Sequence, residues 1–173
     1  MSFVIRRAAA GDAAAFAAIG AATFALACPP STPQVDLDAH IAAELSAARF
    51  AEQIGDPLKG LFAAQAGATI AGYLLLSRGT APAEVAAQHP LKLQQLYVLP
   101  AFHGGGVAAA LMARACSEAA ALDCDALWLG VSEHNQRGIA FYRKHGFAVV
   151  GEEHFAVGQD IHRDHVMARR LVA

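Results

Sequence analysis

The chain has 173 residues, of which 55% are hydrophobic and 16% charged, and its formal net charge is −2. This composition predicts one globular domain over residues 1–173 and excludes an intrinsically disordered chain. The nearly neutral charge provides no basic surface, so neither nucleic acid nor an acidic membrane is an expected partner.

The cysteines and the N-terminal residues indicate the cellular compartment in which the protein is expected. Cys28, Cys116 and Cys124 are an odd number without disulfide or metal-ligand spacing, which predicts free thiols in a reducing compartment and no metal site. The opening MSFVIRRAAAGD lacks the apolar stretch and cleavage site of a signal peptide. The longest apolar runs are expected to fall short of the roughly 20 residues of a membrane span. We therefore expect a soluble, cytoplasmic protein.

Apolar patterns along the chain, bounded by helix-capping residues and prolines, predict a series of strands and helices. Asp12 is the expected cap of the first helix. The order predicts an α/β (α+β) fold in which helices cover the faces of a mixed sheet. In the first half we expect a strand over 3–8, helices over 11–24 and from 36 or 38 to 50, and hairpin strands over 60–66 and 68–77. In the second half we expect strands over 91–100, 125–132, 147–157 and 161–171, and helices over 106–122 and 135–145.

The strand LKLQQLYVLP, residues 91–100, has apolar residues on both sides. If the side chains alternate regularly along the strand, four apolar residues share one face. Two more apolar residues, near the end of the strand, lie on the other face. Such a strand is buried on both faces. The alternating set is Leu91, Leu93, Tyr97 and Leu99, and the other face carries Leu96 and Val98.

Three consecutive glycines precede an apolar helix in AFHGGGVAAALM, residues 101–112. Three chemistries use such a loop. HGGG is typical of the oxyanion loop of lipases and esterases. Gly104-x-Gly106-x-x-Ala109 fits the dinucleotide-binding fingerprint. A glycine loop that opens a helix can also hold the pyrophosphate of coenzyme A.

The surrounding sequence argues against the first two chemistries. A hydrolase needs a G-x-S-x-G elbow, and the segment 130–134, GVSEH, lacks the second glycine. In a dinucleotide fold the strand leads almost directly into the first glycine, whereas residues 100–103 intervene here. The strands before the loop also predict a hairpin, which the dinucleotide fold does not have.

Two segments resemble the signatures of the GNAT superfamily of N-acetyltransferases. LYVLPAFHGGGVAAALM is similar to its first signature, and NQRGIAFYRKHGF matches N-x-x-[AG]-x-x-[FL]-Y-x-K-x-G-F in nearly every position. The resemblance covers nearly the whole chain, and it implies a GNAT fold with a mostly antiparallel sheet and acetyl-CoA as cosubstrate. His103 departs from the family, which usually has Gln or Arg there.

The resemblance implies a set of cofactor-binding residues. Glycines allow the backbone to approach a pyrophosphate closely, and the free N–H groups at a helix start attract anions. The preceding strand would pair through its backbone with the pantetheine arm. The implied residues are Leu96, Tyr97, Val98, His103, Gly104, Gly105, Gly106, Val107, Ala108, Ala109, Asn135 and Tyr142.

Asn135 and Tyr142 are seven residues apart, so on a helix they share one face. Asn135 can cap the helix and bind the cofactor. The resemblance implies that Tyr142 is the catalytic residue, a general acid that protonates the leaving thiolate. The general base stays open, because the strand position where some relatives have a glutamate is occupied by Gly130. Substitutes for it are Glu133, His134, Glu84 and His89.

Two functions stay open on this basis. The first is acetyl transfer to the primary amine of a small molecule or peptide, and the second is a non-catalytic acyl-CoA sensor with the same fold. The C-terminal stretch 146–171 is similar to bacterial PaiA-like acetyltransferases, which implies a polyamine acceptor. Asp36, Asp38 and Glu44 could receive a polycation, although helix capping explains them equally well. Homodimers are common in the superfamily.

Overall fold

The computed structural model describes residues 2–171 as one seven-stranded sheet with five α-helices in that range. Short 3₁₀ turns connect several of the elements. The strands are β1 Val4–Arg7, β2 Lys59–Ala66, β3 Thr69–Arg78, β4 Pro90–Val98, β5 Ala126–Ser132, β6 Ala148–Val157 and β7 Asp160–Arg170. The helices are α1 Ala13–Thr23, α2 Gln34–Glu44, α3 Ala47–Gly55, α4 Val107–Ala121 and α5 Gln136–Lys144.

The sheet is mixed and mostly antiparallel, as the sequence predicts. The strand order is β1-β2-β3-β4-β5-β7-β6, and β4 and β5 are the parallel neighbours. The predicted hairpin is formed by β2 and β3, with Gly67 in its turn at a φ of 60°. The closing pair β6–β7 is also antiparallel.

Helices cover both faces of the sheet, so two apolar cores form. One core packs α4 against the sheet through Val107, Leu111 and Met112, together with Ile139 of α5. The other packs α1 and α3 through Phe16, Ile19 and Phe50. Alternate residues of β2 point into different cores, as the period of a strand requires.

The second predicted helix is in fact two helices. The sequence predicts one helix that ends near Phe50, but α2 ends at Glu44 and α3 begins at Ala47. Ser46 lies between them, and its hydroxyl accepts a hydrogen bond from the N–H of Arg49 at 3.3 Å. A serine that bonds to the backbone in this way starts a new helix.

Asp12 is the N-cap residue of α1, as predicted, but its side chain makes no capping hydrogen bond to that helix. Its carboxylate instead accepts hydrogen bonds from the Arg6 guanidinium at 2.7 and 2.8 Å and from the Ala9 N–H at 2.7 Å. The Arg6 partner, against the effect of burial, keeps the pKa of Asp12 below its usual value. Asp12 thus joins β1 to the turn before α1.

One helical stretch is longer and more apolar than expected. Ala10–Ala27 spans 18 residues with a mean hydropathy of 1.5, so by length and composition it reaches the size of a membrane span. The expectation that all apolar runs fall short of that size was wrong here. In the structure the large side chains of this stretch, Phe16, Ile19 and Phe24, are buried against the sheet.

A β-bulge in β4 changes which side chains share a face. Leu75 of β3 pairs with Gln95 and Leu76 pairs with Leu93, so Gln94 is the extra residue. The strand is covered on both faces as predicted, but the predicted alternation across the whole strand was wrong. Leu91 and Leu93 pack in the α4 core with Leu96 and Val98, whereas Tyr97 and Leu99 pack in the core of α1 and α3.

Beyond the bulge, β4 and β5 separate. They pair at three positions, from Pro90↔Ala126 to Lys92↔Trp128, and the described residues show no further pairing between them. On its other side β4 stays close to β3, where a Cβ on Gly72 would lie 2.6 Å from the Tyr97 carbonyl oxygen. The absence of a side chain at Gly72 therefore lets β4 follow β3 and leave β5.

Candidate active site

A cavity of about 790 Å³ opens where β4 and β5 separate. Its walls come from the ends of these two strands, the start of α4, the inner face of α5 and the β6–β7 pair. The predicted cofactor residues that line it are Leu96, Tyr97, Val98, His103, Gly104, Gly106, Val107, Ala108, Ala109, Asn135 and Tyr142. Gly105 belongs to the predicted set but is not part of the lining.

The start of α4 presents free N–H groups to this cavity. Gly104 and Gly106 have φ values of 78° and 82°, a conformation that glycine adopts without steric strain. The described residues provide no backbone acceptor for the N–H groups from Gly106 to Ala109. A Cβ on Gly106 would meet no atom within 4 Å, so the space beside this residue is open. Free N–H groups at a helix start can hold a pyrophosphate.

His103 binds the protein backbone. Its Nε2 lies 2.8 Å from the carbonyl oxygen of Val98, so the ring donates this hydrogen bond from Nε2. The contact connects the loop before the glycines to the end of β4. In this arrangement Nε2 is not available to a phosphate, which is consistent with His103 differing from the family's usual Gln or Arg.

Tyr97 is anchored by aromatic contacts beneath the cavity. Its ring packs edge to face on Tyr73, with 5.6 Å between the ring centroids. Burial raises the pKa of Tyr97, and the nearby Tyr142, Cys28 and Asp164 raise it further. The Tyr97 phenol is therefore protonated at neutral pH, and it lies within electrostatic range of both Tyr142 and Asp164.

The two ends of α5 are held in place by local hydrogen bonds. Asn135 caps the helix as predicted, because its Oδ1 accepts a hydrogen bond from the Gly138 N–H at 2.9 Å. At the other end Gly146 has a φ of 84°, and the Phe147 N–H donates to the Tyr142 carbonyl at 3.1 Å. This Schellman motif fixes the backbone of Tyr142.

The Tyr142 phenol has the protonation state that an acid needs. Its ring packs against Phe141 and Phe147, with centroid distances of 5.4 and 5.8 Å. Burial raises the pKa of Tyr142 to about 12. The phenol therefore carries its proton at neutral pH and can donate it inside the cavity.

Two carboxylates that the sequence analysis missed line the cavity opposite β5. Glu153 of β6 and Asp164 of β7 are directly opposite each other in the strand pair. Glu153 reaches across to Gly130, so closely that a Cβ on Gly130 would overlap its Oε1. The available signal was the missing side chain at Gly130, since it leaves room for a side chain from a neighbouring strand.

None of the four substitutes considered for the general base lines the cavity. Glu133 is bound to the Arg163 guanidinium at 2.9 Å, which lowers the pKa of Glu133. His134 is exposed, Glu84 lies against Gly151, and His89 lies in the loop before β4.

The outer wall of the cavity is aromatic. Phe24 stacks on His40 at 4.3 Å, and His40 contacts Phe155 at 5.5 Å between ring centroids. Burial lowers the pKa of His40, so this ring is neutral at pH 7. Of the three acidic residues considered for binding a polycation, Glu44 lines the cavity, whereas Asp36 and Asp38 do not.

The cysteines show the free state that their spacing predicts. Cys28, Cys116 and Cys124 are free and half-buried. Burial, with Asp164 and Asp160 nearby, raises the pKa of Cys28 to about 11. Across residues 2–171, no three or more His, Cys, Asp or Glu side chains form a group able to hold a metal ion.

Comparison with known proteins identifies the family. The Acetyltransferase (GNAT) family matches residues 25–147 of the chain. A relative from Mycobacterium tuberculosis (strain ATCC 25618 / H37Rv), an uncharacterized N-acetyltransferase, is 40% identical over 161 residues, which cover 93% of this chain and 99% of the relative.

Solved structures share the fold. The PaiA N-acetyltransferase from Thermoplasma acidophilum, in complex with coenzyme A, superimposes with a TM-score of 0.79 at 19% identity and covers 99% of this chain and 100% of that one. The ribosomal-protein-alanine N-acetyltransferase from Brucella melitensis has a TM-score of 0.70 at 24% identity, with 97% and 99% covered. With the family match and the 40% identical relative, these likenesses show that the chain belongs to the GNAT family of acetyltransferases.

Proposed function

We propose that the protein transfers an acetyl group from acetyl-CoA to the primary amine of a small molecule or peptide. The observation that carries the proposal is that the free N–H groups of α4 and the Tyr142 phenol line the same cavity. The coenzyme A in the Thermoplasma acidophilum structure supports the choice of cofactor. Bound acetyl-CoA would supply the acetyl thioester.

The glycine loop and α4 would hold the pyrophosphate. The N–H groups from Gly106 to Ala109 have no backbone acceptor in the described part of the chain, and the helix dipole adds partial positive charge at the start of α4. The backbone of Leu96, Tyr97 and Val98 lines the next part of the cavity and would pair with the pantetheine arm. Asn135, at the start of α5, would bind the same arm.

Tyr142 would act as the general acid. Its phenol is protonated, and it lines the cavity from α5, together with Leu96, Tyr97 and Val98 of β4. As the carbon–sulfur bond breaks, the phenol would donate its proton to the sulfur of the leaving thiolate. A protein that only senses acyl-CoA has no need of an acid at this position.

The acidic residues of the cavity support a cationic acceptor. Glu44, Glu153 and Asp164 line it and favour an alkylammonium, while the basic residues Lys92 and Arg137 belong to the lining as well. Spermidine represents the polyamines that the C-terminal stretch suggests. A peptide that begins with alanine represents the acceptor named for the Brucella melitensis enzyme.

The function is tested by a panel of amines with acetyl-CoA, in which a thiol reagent reports released coenzyme A. We expect turnover with at least one primary amine, and the fastest class identifies the acceptor. Success with alanine peptides and failure of spermidine would sink the polyamine assignment. Tight acetyl-CoA binding without turnover of any amine would establish the sensor function instead.

Gly106→Ala should weaken acetyl-CoA binding, because the new Cβ would project into the open space at the start of α4, where the pyrophosphate has to approach the backbone. The positive φ adds about 1–2 kcal/mol of backbone strain. Gly67→Ala is the matched control, since Gly67 has a φ of 60° and nothing within 4 Å but lies in a distant hairpin. Both variants should lose similar stability, and calorimetric titration should show weaker binding for Gly106→Ala alone. Equal affinity in all three proteins would contradict the phosphate site.

Tyr142→Phe should lower kcat by about 10²–10⁴-fold, because the ring remains and the proton is lost. Its affinity for acetyl-CoA should stay close to that of the wild type. Tyr73→Phe is the control, since its hydroxyl donates to Gln95 at 3.0 Å and does not line the cavity. The measurement is steady-state kinetics of both variants on the best acceptor, in a pH range where chemistry limits the rate. The kcat of Tyr73→Phe should stay close to that of the wild type. An unchanged kcat in Tyr142→Phe would show that Tyr142 only packs.

A further inference from the structure

The Glu153–Asp164 pair is unusual because like charges oppose each other inside a cavity. The two residues are direct partners in the β6–β7 ladder, where opposed like charges destabilise a sheet. No salt bridge or hydrogen bond within residues 2–171 engages either carboxylate. The neighbouring Glu152, in contrast, lies 3.6 Å from Arg163 on the exposed face. The pair therefore carries unneutralised negative charge.

Asp164 is the buried member of the pair. Its relative exposure is 8%, and its buried Oδ1 has no hydrogen-bond partner in the described part of the chain. Burial of a carboxylate without a partner is unfavourable, which points to a ligand that supplies the missing hydrogen bond.

The charged and titratable groups around Asp164 do not neutralise it. Burial and the neighbouring Glu153 together raise the pKa of Asp164 to about 6, against the lowering effect of His162, His165 and Lys92. The thiol of Cys28 and the phenol of Tyr97 also face Asp164, and both are neutral at pH 7. Lys92 lies 4.4 Å from the Trp128 ring centroid, where its ammonium has a cation–π contact. Asp164 is ionised at neutral pH but can accept a proton readily.

The pair lies beside Gly130 of β5, in the cavity that Tyr142 also lines. The Glu153 carboxylate fills the space beside Gly130, and Asp164 Oδ2 would be 3.7 Å from a Cβ at that position. Tyr97, which lines the cavity as well, is close enough to Asp164 and to Tyr142 for both to raise its pKa. The two carboxylates and the phenol of Tyr142 thus belong to one cavity.

We propose that Glu153 and Asp164 bind the primary ammonium group of the acceptor, and that Asp164 is the general base that takes its proton. The inference rests on the proposed function and deepens it. The ligand class is an alkylammonium, since its three N–H donors satisfy both carboxylates and its charge removes their repulsion.

The proton transfers balance. One N–H bond of the ammonium breaks, its proton moves to Asp164, and its electron pair stays on nitrogen as the nucleophile. As the new carbon–nitrogen bond forms and the carbon–sulfur bond breaks, the electron pair of the latter goes to sulfur, which takes the Tyr142 proton. The second proton lost by nitrogen restores the phenol, and Asp164 releases its proton to solvent.

The first test measures urea unfolding of the free protein between pH 4.5 and 8. The folded-state pKa of Asp164 lies above its unfolded value, so its ionisation weakens the fold as pH rises through about 6. Asp164→Asn and Glu153→Gln should therefore unfold at higher urea than wild type at pH 8, with the gap closing toward pH 4.5. Glu152→Gln is the matched control and should show no such gap. If the wild-type protein is at least as stable as both variants at pH 8, the claim that Glu153 and Asp164 carry unneutralised charge is wrong.

The second test measures ligand binding and does not depend on turnover. Propylammonium chloride should raise the unfolding temperature of the wild type and of Glu152→Gln at pH 8, beyond the effect of tetramethylammonium chloride. The rise should be lost in Asp164→Asn and in Glu153→Gln. Equal shifts in all four proteins would refute the ammonium site, even if the protein is an active acetyltransferase.

The third test uses the fastest amine of the panel. Asp164→Asn should lower kcat/KM by about 10²–10⁴-fold at pH 7. Its remaining activity should rise steadily toward an alkylammonium pKa near 10.4, whereas the wild-type value should level off above about pH 6. If the pH profiles of the wild type and of Asp164→Asn are parallel, Asp164 is not the general base. If no amine reacts with the wild type, the proposed function fails, and the propylammonium shifts still decide the binding site.

Discussion

The separation of β4 and β5 is the feature on which the site depends. Parallel strands within a sheet normally pair along their shared length, but these two pair only from Pro90 to Lys92 on β4. The bulge at Gln94 and the close approach of Gly72 to Tyr97 direct β4 along β3 instead. A gap in the middle of a sheet leaves backbone polar groups without partners, and such groups favour a polar ligand. The cavity, the start of α4 and the inner face of α5 all border that gap.

The gap also separates two kinds of charge. At one end the first turn of α4 offers N–H groups and the positive end of a helix dipole, which suit an anion. At the other end β6 and β7 bring two carboxylates together, which suit a cation. A group-transfer enzyme with an anionic cofactor and a cationic acceptor needs this separation, because each substrate is then attracted to its own end. The Tyr142 phenol lines the same cavity.

Local signals in the sequence predicted most of the architecture. Glycines, prolines and apolar periodicity located the strands, and the paired motifs around Gly104 and Asn135 identified the family and the part of the cavity lining that comes from β4, the start of α4 and α5. The break at Ser46 was missed because no glycine or proline separates α2 from α3. The bulge at Gln94 was missed because a period of two cannot reveal an extra residue that only the partner strand defines.

Glu153 and Asp164 were missed for a different reason. They are 11 positions apart in the chain, and only the register of β6 on β7 makes them neighbours. The sequence did show that Gly130 offers no base. It could not show which strand would supply a carboxylate there, because that depends on the order β5-β7-β6 in the sheet.

A crystal structure with coenzyme A is the most direct test of the claim that the gap between β4 and β5 is a cofactor site. The account predicts that pyrophosphate oxygens accept hydrogen bonds from the N–H groups of Gly106 to Ala109, and that the pantetheine arm runs between the two strands. It also predicts that the sulfur lies beside the Tyr142 hydroxyl and faces Asp164. Coenzyme A bound with its pyrophosphate away from the start of α4, or with its sulfur remote from Tyr142, would contradict it.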